Sequence, residues 1–289
     1  MGAYLLDLAT LWAIFAMAAT VVAALIEDAG FLHVGAASFL GVGAYTAALL
    51  STRAGMDPQL ALLATLPVGA ALGAALHLAV GRLRGDVLAL ATLAVGVIAH
   101  GMMLNATELT GGPMGIAAIP ARPPLAGHAA LDAGIILGLV LALVGATRRS
   151  RFGLRARALR DDESLSDDLK LRPGRVRAVL WIASSAILAL AGGVFAFHLR
   201  YIDPSSFTVR ESVSILAMSL VLPTGRLVNA SIGALFFIAL PELLRFVGLP
   251  PSMGAEVRQL VFGVALVVVA ARVGGRRFGA AIQQGGARA

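Results

Sequence analysis

"ALDAGIILGLVLALVGATRRSRFGLRARALRDDESLSDDLKLRPGRVRAVLWIASSAILALAGGVFAFH", Ala130 to His198, decides the fold, because it sets a dense block of charge between two runs that hold almost none. Residues 148–177 carry 15 of the chain's 39 formally charged side chains. The flanking runs, 130–147 and 178–198, are apolar and about long enough to cross roughly 30 Å of hydrocarbon as helices.

The same alternation extends outward in both directions. Further spans are expected at 5–26, 34–52, 59–80, 86–106, 209–222, 228–247 and 256–272, nine in all. Two of them, 34–52 and 209–222, are short or interrupted by glycine, as re-entrant segments are. With 58% apolar and 13% charged side chains in 289 residues, the chain lies far below the ~25% charge of soluble domains. Its mean hydropathy is +0.87. The expected fold is therefore an all-α polytopic membrane protein of about eight to ten transmembrane or re-entrant helices, one domain over 1–289. Gly, Ala, Val and Leu dominate the spans, which suits close helix packing and not the alternation of a barrel. The first span has no basic leader and is too long for the core of a cleavable signal. The absence of cysteine excludes disulfides, thiolate metal sites and cysteine nucleophiles.

Basic residues set the expected orientation. Nine spans with the central block inside place Arg82, Arg84, the ten basic residues of 148–177, Arg226, Arg272, Arg276, Arg277 and Arg288 on the cytoplasmic side, and only six on the other. The N-terminus is then outside and the C-terminus inside. The pI near 11.1 follows from this asymmetry, so basicity is no argument for nucleic acid, and none is expected as a partner.

Within the block, acidic residues precede basic ones and Pro173-Gly174 closes it, the order of a short helix and its stop signal. Leu165 and Leu169 share one face, so an amphipathic helix on the cytoplasmic surface is expected. Three readings compete for it: a solvated positive-inside loop, a metal-diphosphate site of the prenyltransferase type built on Asp161, Asp162, Asp167 and Asp168, and a docking helix for a cytoplasmic partner. The flanking arginines and the lack of a second aspartate cluster count against the metal. The five histidines have no ligand spacing, and no metal is expected.

Other residues favour docking. "RLRGDVLALATLAVGVIAHGMMLNATELTGGPMGIAAIP", Arg82 to Pro120, closely resembles the permease subunits of branched-chain amino acid ABC importers, through Arg82, Arg84, Gly85, Asp86, Thr92, Asn105, Thr110, Gly111, Gly112, Gly115 and Ile116. "FLGVGAYTAALL", Phe39 to Leu50, and "FGLRARALRDDESLSDDLKL", Phe152 to Leu171, are similar to two further elements of that family, and "AGGVFAF", Pro204, Phe207, Ser212 and "PELLR" follow in the family's order. The resemblance spans about 240 residues.

That resemblance implies a non-enzymatic transport subunit of a bacterial inner membrane, with no catalytic residue of its own. Its expected partners are a second homologous permease, two cytoplasmic ATP-binding subunits, a periplasmic solute-binding protein and the lipid bilayer. ATP and Mg²⁺ would sit on the partners, with no cofactor in this chain. Arg160, Asp161, Glu163, Leu165, Asp168 and Leu169 would form the coupling helix. Consistently, a P-loop needs GxxxxGK[ST], and the only lysine, Lys170, follows no such run.

The implied pathway residues are Phe39, Gly41, Gly43, Tyr45, Thr92, Asn105, Thr110, Gly111 and Gly112. Gly41 and Gly43 would break a helix and aim amides at a carboxylate, as discontinuous transporter helices do, or pack small against a neighbour. Thr92 and Asn105 would bond solute or a neighbouring helix. Arg210 and Glu211 are expected as outer-end anchors. The chain departs from the family pattern at His33, where serine is usual, at Ala36 and Lys170, and at Leu222, Pro223, Asn229 and Ala230, where glycines or proline are usual. These changes leave the solute open among amino acids, urea, amides and aromatic acids. A stand-alone secondary transporter is the leading alternative. It would need an ionisable residue at mid-membrane, and none stands out in the sequence.

Overall fold

The computed structural model describes residues 2–123, 127–162, 166, 168–221, 227–246, 260 and 263–264. Nine helices of eight or more residues run through them: α1 (Gly2–Ala24), α2 (Ala36–Thr52), α3 (Pro58–Val80), α4 (Gly85–Asn105), α5 (Ala129–Arg149), α6 (Arg151–Asp161), α7 (Pro173–Leu199), α8 (Val209–Leu220) and α9 (Leu227–Phe246). Eight of the nine expected spans coincide with α1–α5 and α7–α9. The ninth, 256–272, lies almost wholly outside the described residues. Among these, α1, α3, α4, α5 and α7 are long and apolar enough to cross a membrane.

Local chemistry sets the helix ends. Asp57 caps α3, its carboxylate accepting from the Gln59 amide at 2.9 Å, and Pro58 fills the first position, where no amide hydrogen is needed. The end of α1 is different. It widens into a π-helical turn, Leu25–Ala29, stopped by Gly30 at φ +72°. The chain then runs without regular hydrogen bonding to Gly35 before α2 begins.

α7 is the hub of the bundle. Its small residues face glycines on α2 and α3: a Cβ on Gly43 would lie 2.0 Å from Ala189 O, and one on Gly73 2.4 Å from Trp181 O. Lipid offers no hydrophobic drive for helices to associate, so such backbone contact supplies the dispersion energy instead. On the other flank α1 holds α9, Trp12 Nε1 donating to Ser231 O at 2.9 Å. The Asn229 and Ala230 departures do not open the α8–α9 crossing, since a Cβ on Gly233 would still meet Met218 O at 2.1 Å.

Depth can be read from these contacts. Gly35 lies against Thr92 O and Gly96, near the middle of α4. α2 therefore starts half-way through the bundle, which makes it a half-helix running to the end opposite the charged block. That opposite end is covered by a loop in which Ile116 and Ile202 exchange both backbone hydrogen bonds, at 2.8 and 3.0 Å. A buried ion pair, Arg122–Asp132 at 2.7 Å, pins the loop to α5.

Candidate functional site

The stretch Phe31–Gly35 and the N-terminus of α2 form the centre of the site. Backbone amides left free by the break need partners in the bundle interior, and side chains from two other helices supply them. The Val34 amide donates to Thr92 Oγ1 of α4 at 3.1 Å, and the Ala37 amide to Ser212 Oγ of α8 at 3.0 Å. Ser38 Oγ donates to Gly96 O at 2.8 Å. α8 begins close by: Ser212, in its first turn, meets Ala37, and Phe207, just before it, meets Gly41, so the N-terminal turns of α2 and α8 overlap antiparallel in mid-bundle.

His33 stands at the break. Its ring is fully buried, edge-on to Phe39 at 4.7 Å and to Trp181 at 5.3 Å, and neither ring nitrogen has a hydrogen-bond partner among the described residues. Phe31 stacks on Trp181 at 5.7 Å, and the Arg177 guanidinium lies over Phe31 while donating to Gly81 O at 2.8 Å. An aromatic column thus joins the charged end of the bundle to the break.

The expected pathway residues divide around this centre. Thr92 is fully buried and holds the break. Phe39 is buried against His33. Gly41 and Tyr45 meet Phe207: a Cβ on Gly41 would lie 2.7 Å from its ring, and the Tyr45 and Phe207 centroids are 6.2 Å apart. Gly41 and Gly43 do not break α2, which is continuous across them; the interruption comes earlier, at 30–35, and these glycines serve close packing. Asn105 does not join the site either. It is exposed and donates back to Gly101 O at 2.7 Å. Thr110 is buried in the loop over the opposite end, donating to Met103 O at 2.7 Å, and the positive φ of Gly111 (+76°) and Gly112 (+58°) turns the chain there. Arg210 and Glu211, expected as outer-end anchors, directly precede Ser212 in the first turn of α8 and form a pair at 3.6 Å, the Arg210 side chain 65% exposed.

At the charged end a helix forms ahead of the expected Leu165–Leu169 helix, most of which lies outside the described residues, although Ser166 and Asp168 are themselves helical. α6 covers Arg151–Asp161 and stops at Asp162; it buries Gly153, Ala156 and Leu159, while Leu169 is 61% exposed. Ser150 nucleates it by capping, accepting from the Phe152 amide at 3.1 Å. Ser150→Ala is expected to cost about 1 kcal/mol, read as a drop in thermal midpoint. Asp168 is exposed, Asp161 pairs with Arg160 at 3.2 Å, and Glu163 and Leu165 lie outside the described residues.

Two residues that the block's own pattern does not reveal hold α6 in place. Glu27 and Asp28, on the π-turn, bind Arg148 at 2.6 and 2.5 Å; Asp28 also faces Arg157 at 3.7 Å, and Arg160 donates to the Glu27 carbonyl. Their signal in the sequence is two adjacent carboxylates at the end of an apolar run.

Comparison with known proteins places the whole chain. A family model described as branched-chain amino acid transport system / permease component matches residues 3–270. The chain is 31% identical over 269 residues to the high-affinity branched-chain amino acid transport system permease protein LivM of Escherichia coli, the match covering 83% of this chain and 63% of that protein. The LivM protein of Salmonella typhimurium is 32% identical with the same coverage. A probable branched-chain amino acid transport permease protein LivH of Methanocaldococcus jannaschii is 26% identical over 251 residues, 81% of this chain and 78% of that one. The chain thus spans under two thirds of the length of the LivM proteins it matches. No solved structure matches it.

Proposed function

The chain belongs to the family of branched-chain amino acid transport system permease components, and from that premise we propose that it is the membrane-spanning permease subunit of an ATP-driven importer in a bacterial inner membrane. The solute is a branched-chain amino acid or a similar small molecule. It passes at the interface with a second, homologous permease, delivered by a periplasmic binding protein, as two cytoplasmic ATP-binding subunits drive alternating access through α6. The observation that carries the reading is the pairing of a half-helix break at mid-depth with an amphipathic helix at the charged end. Such a break can offer backbone amides to a carboxylate. Such a helix can take a push: its outer face shows Arg151, Leu154 and Arg155 to the surroundings, Leu154 59% exposed.

Purification of the intact protein from its native membrane tests this. Two ATP-binding subunits and a second permease are expected to co-purify, and Leu154→Asp with Leu169→Asp is expected to cut recovery of the ATP-binding subunits at least tenfold. A second reading, a stand-alone secondary transporter, is favoured by the buried ionisable His33 at mid-depth. A lone chain, unchanged by the double substitution, would decide for it.

A further inference from the structure

We infer that Glu27 and Asp28 are the receiving half of the coupling device: they join α6 and the π-turn of α1 into one rigid body, so that a push on α6 displaces Phe31–Gly35 and the N-terminus of α2. The inference rests on the importer reading above. It goes beyond that reading in naming where the push arrives and what it moves.

The geometry carries it in three steps. Arginines from two elements converge on two carboxylates: Arg148, near the end of α5, binds Glu27 and Asp28 at 2.6 and 2.5 Å, and Arg157 of α6 reaches Asp28 at 3.7 Å. The inner pair, Arg148–Asp28, is poorly screened, with 13% and 10% of the side chains exposed, and fixes the end of α5 to the π-turn more stiffly than a surface bridge would; α6 joins it through Arg157, which also donates to the Arg148 carbonyl at 3.1 Å. A cavity of about 500 Å³, lined by Leu25, Asp28, Arg148, Gly153 and Ala156, lies on one side of the junction, while the Gly30 side is in close contact. A Cβ on Gly30 would lie 3.0 Å from Arg160 Cγ, and the Arg160 guanidinium already donates to the Glu27 carbonyl.

The output side is equally close-coupled. Phe31 follows Gly30 directly and is stacked on Trp181. Moving Gly30 must slide or unstack that ring, shift His33 against the same tryptophan, and load the Val34–Thr92 hydrogen bond. A π-helical turn is common at functional sites, and here it carries both carboxylates of the tie. Two packed arrangements of the Phe31–Trp181 column would give the bistable element that a coupling path requires.

The chain's lack of cysteine makes the test direct. With the co-purified complex, His33→Cys reports on the break through its rate of maleimide labelling, compared between the nucleotide-free complex and one trapped with a non-hydrolysable ATP analogue. The rate is expected to change at least tenfold between the two. Adding Glu27→Gln with Asp28→Asn is expected to remove that difference while the ATP-binding subunits stay bound and hydrolyse ATP. Because those substitutions leave Arg148 without its carboxylates, the same loss is expected when Arg148→Met is added, a variant with no uncompensated buried charge at that position. Labelling that stays nucleotide-dependent in both variants, or that is nucleotide-independent in the parent complex with its ATP-binding subunits attached, overturns the inference. Absence of ATP-binding subunits from the unaltered preparation overturns the importer reading itself. A second arm tests rigidity: a Cβ on Gly30 lies 3.9 Å from Arg160 Cβ, close to the ~3.8 Å of a disulfide. Gly30→Cys with Arg160→Cys is expected to cross-link with equal yield in both nucleotide states, and a yield confined to one state refutes the single body.

Discussion

Gly192→Val is expected to leave no monodisperse protein after extraction from membranes, or protein with a thermal midpoint lowered by more than about 10 °C. The reason is the α2–α7 crossing. A Cβ on Gly192 would stand 1.8 Å from Leu40 O, 2.7 Å from its carbonyl carbon and 2.9 Å from the Ala44 nitrogen. All three are backbone atoms in mid-helix, so no side chain can turn aside to make room. The helices must part by an ångström or more, and Gly43 then loses its contact with Ala189. In lipid the loss has no hydrophobic compensation, because lipid tails replace side chains at little gain. Gly192→Ala should fall between wild type and valine. Gly138→Ala on α5 is the control: nothing lies within 4 Å of its Cβ, and the better helix former should stabilise by up to about 1 kcal/mol. Size-exclusion profiles and thermal midpoints of the three variants settle the point. A valine variant as stable as the parent would mean that α2 and α7 do not cross at this glycine.

How far the sequence could be read follows from which forces leave a local signature. Span positions do, since each must bury some twenty apolar residues, and α1–α5 and α7–α9 fall where hydropathy places them. The start of α6 is fixed by a single serine cap, a signal far weaker than an apolar run, while the Leu165–Leu169 stretch after it lies mostly outside the described residues. For Gly41 and Gly43 the sequence leaves interruption and packing equally open, since glycine in a membrane helix signals either; here they pack, and the interruption lies at 30–35. The true interruption is enforced from outside the segment, by Thr92 and Ser212, 58 and 175 residues from the amides they hold. Partners so distant leave no mark on the segment itself. The same holds for Glu27 and Asp28, whose arginines lie about 120 residues away. Asn105 shows the opposite failure, a polar residue in an apolar helix that bonds only to its own preceding turn.

His33→Leu is expected to raise the thermal midpoint by several degrees and, in the reconstituted complex of the proposed importer, to lower solute uptake at least tenfold. The first half follows from burial. Two ring nitrogens sealed from solvent without partners among the described residues forfeit about 1–3 kcal/mol of hydration, which an apolar side chain of similar size does not lose. A kilocalorie moves the midpoint of a chain this long by roughly 2–4 °C. The second half follows from position. A residue whose removal stabilises the resting bundle, yet which stands where the N-terminal turns of α2 and α8 overlap, has its use in a different arrangement of the same site. Once Phe31–Gly35 shifts, the ring can find a partner in water or in the carboxylate and ammonium groups of a passing amino acid. His33→Ser keeps a small polar group, the one the resembling family usually carries here, and should retain most of the uptake. His33→Phe keeps the edge-on aromatic contacts with Phe39 and Trp181 without the nitrogens, and separates packing from hydrogen bonding. Should leucine and phenylalanine both stabilise while serine alone sustains transport, the nitrogens serve passage. Should phenylalanine transport normally, the ring is a packing element and the solute path runs elsewhere.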